Sequence, residues 1–90
     1  MQYEQQKLYL IKTIGHILRE IRKNHANLSL NQLANSYEID KGGLSKIENG
    51  LVDCQISTLW KIIEASGLKF SEFAKLLEAE LGDDFKLIEE

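Results

Sequence analysis

The chain has 90 residues, 43% of them hydrophobic and 28% charged, with a formal net charge of −3. That composition fits one globular domain, and a chain this short buries only about 60–65% of its unfolded surface, so dimerisation would add to its stability. A lone cysteine, Cys54, excludes an intrachain disulfide and a Cys/His metal cage, and no apolar run reaches the roughly 18 residues that span a membrane.

Hydrophobic spacing predicts an all-α chain of five short helices. Leu10, Ile14, Ile17, Leu18 and Ile21 recur three and four residues apart, which predicts a first helix from about Gln5 to Asn24. The polar stretch Asn24–Asn27 ends it. Ser29, a favoured N-cap residue, opens a second helix carrying Leu30, Leu33, Ala34 and Tyr37 and stopping near Glu38. Asp40 then caps a third helix from Lys41 to about Asn49, and Gly50 suits the left-handed position beyond it. A fourth helix is expected from Ser57 to Gly67, with Leu59, Trp60, Ile62 and Ile63. A fifth is expected from Ser71 to Gly82, with Glu72 in its first turn and Leu76, Leu77 and Leu81 beyond. Trp60 and Phe70 are expected in the core. Domain limits follow: one helical domain over residues 1–82, with its core at 14–73 and a two-helix motif at 30–49, and a tail over 83–90.

Charge is unevenly spread. Residues 1–27 carry five basic side chains against two acids, a balance of +3. Residues 28–61 stand at −1, and residues 62–90 at −5, with three lysines against eight acids. The negative third can therefore face away from a polyanion that the remainder engages. Met1–Lys7 is polar and carries no signal-peptide pattern, so the cytoplasm is the expected location.

The functional signal lies in the second and third helices. Counting Leu30 as the first position, apolar residues fall at the fourth (Leu33), eighth (Tyr37), tenth (Ile39), fifteenth (Leu44) and eighteenth (Ile47), with Ala34 at the fifth. Two short helices crossing steeply through a tight turn need a small residue where their backbones meet and apolar residues on the shared inner face. The outer face of the second member is left free.

The stretches Leu28–Ala34 and Ile39–Gly50 resemble the Cro/repressor-type helix-turn-helix family of bacteria and phages. The likeness covers about residues 14–73, including Gly15, the Leu18–Arg22 lead-in, the Glu48-Asn49-Gly50 stop and the Thr58–Phe73 segment. It implies a compact five-helix bundle of the phage-repressor DNA-binding type. It also implies that Lys41, Gly42, Ser45 and Lys46 face base edges, that Ser29 and Asn49 touch phosphates, and that Arg22 and Glu48 form a structural ion pair. Gly43, beside Gly42, would let the backbone approach DNA closely.

The chain departs from the family pattern at four places. Glu38 stands where a glycine usually makes the turn, and Leu30 replaces a glutamine. Leu51-Val52-Asp53 replaces a loop that is often basic, and Gly42-Gly43 opens the third helix with two weak helix formers.

The partners implied are double-stranded DNA and a second copy of the chain, joined through the C-terminal third along Phe73, Leu76, Leu77 and Leu81. Paired half-sites about one helical turn apart multiply specificity. No cofactor and no membrane contact is expected. His16 and His25 have no ligand or carboxylate at useful spacing, and no convergent polar cluster points to an enzyme. The rival reading keeps the fold as a protein-interaction module or antitoxin with weak or no DNA affinity, which the glycine pair, the non-basic loop and the acidic last third favour.

Overall fold

The computed structural model describes residues 2–88, and among these the secondary structure is entirely helical. Helix α1 (Gln2–Glu20) runs into one π-helical turn (Ile21–His25), followed by α2 (Leu30–Ser36), α3 (Lys41–Glu48), α4 (Ile56–Ala65) and α5 (Phe70–Leu81). Helix α1 packs against α3 and α5, α2 against α3, and α4 against α5. Leu18, Leu33, Leu44, Ile62, Ile63 and Phe73 are fully buried where these helices meet.

Helix starts follow their local chemistry. The Ser29 hydroxyl accepts from Gln32 N (3.1 Å) while Gln32 Oε1 accepts from Ser29 N (2.8 Å), a reciprocal cap that places α2 where expected. Asp40 Oδ2 accepts from Gly43 N at 2.7 Å and starts α3 at Lys41. Three starts, those of α1, α4 and α5, differ from the expected ones. Helix α4 begins at Ile56 rather than Ser57, with Gln55 making no side-chain cap. Helix α5 begins at Phe70 rather than Ser71, because Glu72 Oε1 reaches back to accept from Lys69 N at 2.8 Å.

Helix α1 also begins earlier than expected, and its last turn widens. Ala26 N donates to Ile21 O (2.9 Å), a five-residue spacing, and Leu28 N donates to Arg22 O (3.0 Å). This turn carries Ile21 and Arg22, both buried. Asn27, left-handed at φ 56°, then turns the chain toward α2, a conformation asparagine tolerates better than most residues.

Two residues expected on inner faces lie outside. Tyr37 follows the last turn of α2 and is 44% exposed. Trp60 is 53% exposed, because Leu59, Ile62, Ile63 and Ser66 already take the core-facing stripe of α4. Only its ring face is covered, by Phe70, stacked with centroids 4.9 Å apart. The expected α5 seam divides similarly: Phe73 is buried, Leu77 packs against the core, and Leu76 remains exposed.

Beyond α5 the tail folds back over the first half of α1. Phe85 lies tilted against Tyr9 at 6.0 Å, and Gln6 Nε2 donates to Lys86 O at 3.3 Å.

Candidate nucleic-acid interface

The candidate interface is the outer face of α3, and its presentation depends on how the inner face is fixed. Leu44, Ile47 and Glu48 are buried. Arg22 holds Glu48 in a two-pronged ion pair, Nε to Oε2 at 2.7 Å and Nη2 to Oε1 at 2.9 Å, with both side chains less than 10% exposed. Its third nitrogen, Nη1, donates to Leu28 O at 2.9 Å, so one guanidinium ties together the end of α1, the entry to α2 and the end of α3. The hydrogen bond to Glu48 raises the Arg22 pKa further above its already high ordinary value and outweighs the opposing cost of burial.

Close backbone packing sets the depth at which α3 sits. A Cβ on Gly15 would collide with the carbonyl oxygen of Ile47 and lie 2.8 Å from that of Glu48, so only glycine lets α1 rest directly on the end of α3. Gly50, left-handed at φ 69°, ends the helix, and a Cβ there would lie 3.0 Å from Lys12 Cα. The turn before α3 has Glu38 at φ 54°, the left-handed conformation that the missing glycine would adopt freely. Lys61 Nζ, from α4, donates to Glu38 O at 3.3 Å and braces this turn.

At about 100° per residue, Gly42, Lys46 and Asn49 fall opposite the buried stripe, and Lys41, Lys46 and Asn49 are exposed. Lys41 and Lys46 stand about 140° apart around the helix, so the two cations flank the outward line rather than form one row. Ser45 is half-buried on the Lys41 flank. Gly43 lies on the opposite flank beneath the Asp40 carboxylate, which engages its N–H, whereas a Cβ on Gly42 would meet only Asp40 Oδ2 at 3.6 Å. The Asn49 amide turns back to donate to Ser45 O at 2.9 Å. Ser29 is exposed at the start of α2, its oxygen engaged by Gln32 N and its hydroxyl proton free to donate outward.

Beside α3 runs a groove of about 520 Å³, bounded by the 38–40 turn, Gly43 and Lys46, the 52–54 loop and the start of α4. Gln55, Ser57, Thr58 and Lys61 line its far wall, and the sequence reading had not joined these residues to α3. The available signal was the polar residues clustered at the first turn of α4. Cys54 is half-buried in the same groove. Burial, and secondarily the charge of Asp53, push its thiol pKa up, so it is a weak nucleophile.

A helix-turn-helix family model matches residues 18–73, well over half of the chain. The chain belongs to the Cro/repressor-type helix-turn-helix family. No curated protein and no solved structure matches it. Helix-turn-helix domains of this family are DNA-binding regulatory modules, and their all-α fold is the one described above. The matched segment begins at Leu18, so Gly15 and all of α1 but its last three residues lie outside it even though Gly15 sets the contact between α1 and α3. Among the described residues, no helix is long and apolar enough to cross a membrane.

Proposed function

We propose that the chain is a transcriptional regulator that binds specific DNA sequences as a homodimer, laying α3 in the major groove. The observation that carries the reading is the division of α3 into a locked inner face and a free outer face. Leu44, Ile47 and the Arg22-bound Glu48 lie inside, while Lys41, Gly42, Lys46 and Asn49 lie outside. An α-helix is about 10–12 Å across with its side chains, and the major groove, about 12 Å wide, admits it. Lys46 donates to guanine O6 or N7, Lys41 and Ser45 to neighbouring base edges or phosphates, and Ser29 to a phosphate. Gly42 and Gly43 keep the helix start free of bulk. Asn49 joins in by exchanging its bond to Ser45 O for a phosphate.

Asp40 modifies this reading. Its carboxylate occupies the positive end of α3, so attraction for the DNA backbone rests on the lysines, with Lys61 supplying a third cation beside the groove.

The test begins with selection of bound duplexes from a random pool. On the selected site, Lys46→Ala should cost about 1–3 kcal/mol and relax preference at one base pair if Lys46 reads a base. A purely phosphate role would instead weaken all sequences alike and lower the salt slope by about one. No change in either quantity refutes α3 as the reader.

One observation favours a second reading, a protein-interaction module or antitoxin. Leu51 (70% exposed) and Val52 (38%) present apolar surface in the loop where relatives often carry basic residues. Failure to select any duplex from the pool would leave that reading in place.

A further inference from the structure

We infer that the first half of α1 engages the DNA backbone in place of the non-basic loop after α3, with Lys12 donating to a phosphate and Lys7 cancelling the charge of Asp53. The inference rests on the proposed reading that α3 lies in the major groove. It adds a stretch of chain that the family match, beginning at Leu18, does not include. The loop Leu51-Val52-Asp53 is exposed, follows the end of α3 and carries one acid and no base. A helix that fills a groove of about its own width brings the chain leaving it toward the flanking phosphates, where a lone carboxylate opposes binding.

Packing sets two lysines of α1 against that loop. Gly50 is buried on Lys12, so that a Cβ there would lie 3.0 Å from Lys12 Cα, yet Lys12 itself is exposed. Lys7 Nζ lies 4.0 Å from Asp53 Oδ2, and both side chains are exposed. Ile11 and Ile14 line a small crevice with Val52, Asp53 and Cys54. The same three loop residues bound the groove beside α3 that holds Lys46 and Lys61. The loop thus has α1 on one side and the α3 groove on the other, which makes the α1 lysines continuous with the candidate interface.

The helix period keeps this face open. At about 100° per residue, Lys7, Ile11, Ile14 and Gly15 share an arc of about 100°, and Lys12 stands about 60° beyond Gly15. Gln6 and Tyr9 fall on the opposite side, about 140° and 160° from Ile11. There the rest of the chain braces α1: Phe85 packs on Tyr9, Tyr9 Oη donates to Glu80 O at 3.3 Å, and Gln6 Nε2 donates to Lys86 O. The acidic tail is therefore held off the lysine face. Glu4 also falls on that face, but about 12 Å along the axis from Lys12, beyond the screening length of about 10 Å at 0.1 M salt. Among the described residues Lys12 has no ionic partner within 4 Å, which leaves its charge for a phosphate.

The experiment measures affinity for the selected duplex and for a scrambled one between about 50 and 200 mM salt. Lys12→Gln should weaken both duplexes several-fold and lower the slope of log K against log salt by about one unit. Lys7→Gln should weaken binding, Asp53→Asn should tighten it, and Lys7→Gln should have little effect once Asp53 is asparagine. Lys75→Gln removes the same charge from α5 and should leave the slope unchanged. Melting should be unaltered throughout, because glutamine keeps the methylenes beside Gly50 and an exposed pair at 4.0 Å contributes little. A Lys12→Gln slope no different from that of Lys75→Gln overturns the inference, as does a loss confined to one base pair. The reading of α3 stands in either case if Lys46→Ala still relaxes base preference. A Lys7→Gln loss that persists with Asp53→Asn overturns the charge-cancelling role of Lys7. A protein that selects no duplex overturns both the inference and the reading beneath it.

Discussion

Replacing Glu48 with alanine tests the frame that holds α3. The substitution removes both carboxylate oxygens from Arg22, at 2.7 and 2.9 Å, and leaves a guanidinium that is less than 10% exposed with only Leu28 O as an acceptor. Breaking a buried ion pair from one side costs about 3–5 kcal/mol, because the remaining charge stays desolvated and unmatched. A 90-residue domain has on the order of 5–13 kcal/mol in total, so the variant should lose a large share of its stability. At roughly 4–8 °C per kcal/mol, the melting temperature should fall by at least about 12 °C. Urea unfolding followed by circular dichroism gives the free energy directly. The double variant Arg22→Met with Glu48→Leu removes both charges and should recover most of the loss, since an apolar pair of similar volume can replace a buried ion pair at little cost. A Glu48→Ala loss below about 1 kcal/mol, or a double variant no better than the single one, would refute the argument.

Four further outcomes follow from backbone and thiol geometry. Gly15→Ala should destabilise by about 1–3 kcal/mol in urea unfolding, because its methyl group meets the Ile47 and Glu48 carbonyls; Gly42→Ala, whose methyl group would meet only Asp40 Oδ2 at an ordinary 3.6 Å contact, should stabilise by about 0.5–1 kcal/mol and weaken DNA binding if the backbone lies against the duplex. Glu38→Gly should raise stability by up to about 1 kcal/mol by relieving the left-handed strain at φ 54°, and no gain would mean that the Lys61 contact already offsets it. Cys54 should react with a thiol reagent at pH 8 more slowly in the folded protein than in urea, since burial and Asp53 both disfavour the thiolate. Its rate should keep rising at pH values where a free cysteine has levelled off, and Asp53→Asn should accelerate it modestly; equal folded and unfolded rates would contradict the raised pKa.

The sequence by itself determined the helical fold, the order of the five helices and the two caps that position the helix-turn-helix pair. Those features are local. Ser29 and Asp40 satisfy backbone N–H groups three residues away, Gly50 adopts its left-handed angle within one turn, and the spacing of Leu33, Ala34, Leu44 and Ile47 marks the inner faces. The Arg22–Glu48 pair spans 26 residues of chain and was legible only through the family resemblance. Tertiary structure alone decided the remainder. The widened turn after Glu20 has no clear local signature in the sequence. Glu72 moved the start of α5 by bonding to Lys69 N, and periodicity could not distinguish that acceptor from the Ser71 hydroxyl. Trp60 lies 100° around α4 from Leu59, close enough to the apolar stripe to be assigned to the core by pattern. The stripe was filled first by Leu59, Ile62, Ile63 and Ser66, and the indole was left outside against Phe70. The groove beside α3 likewise joins Lys46 to Gln55, Ser57 and Lys61 from another helix, because packing brings together side chains that sequence spacing keeps apart.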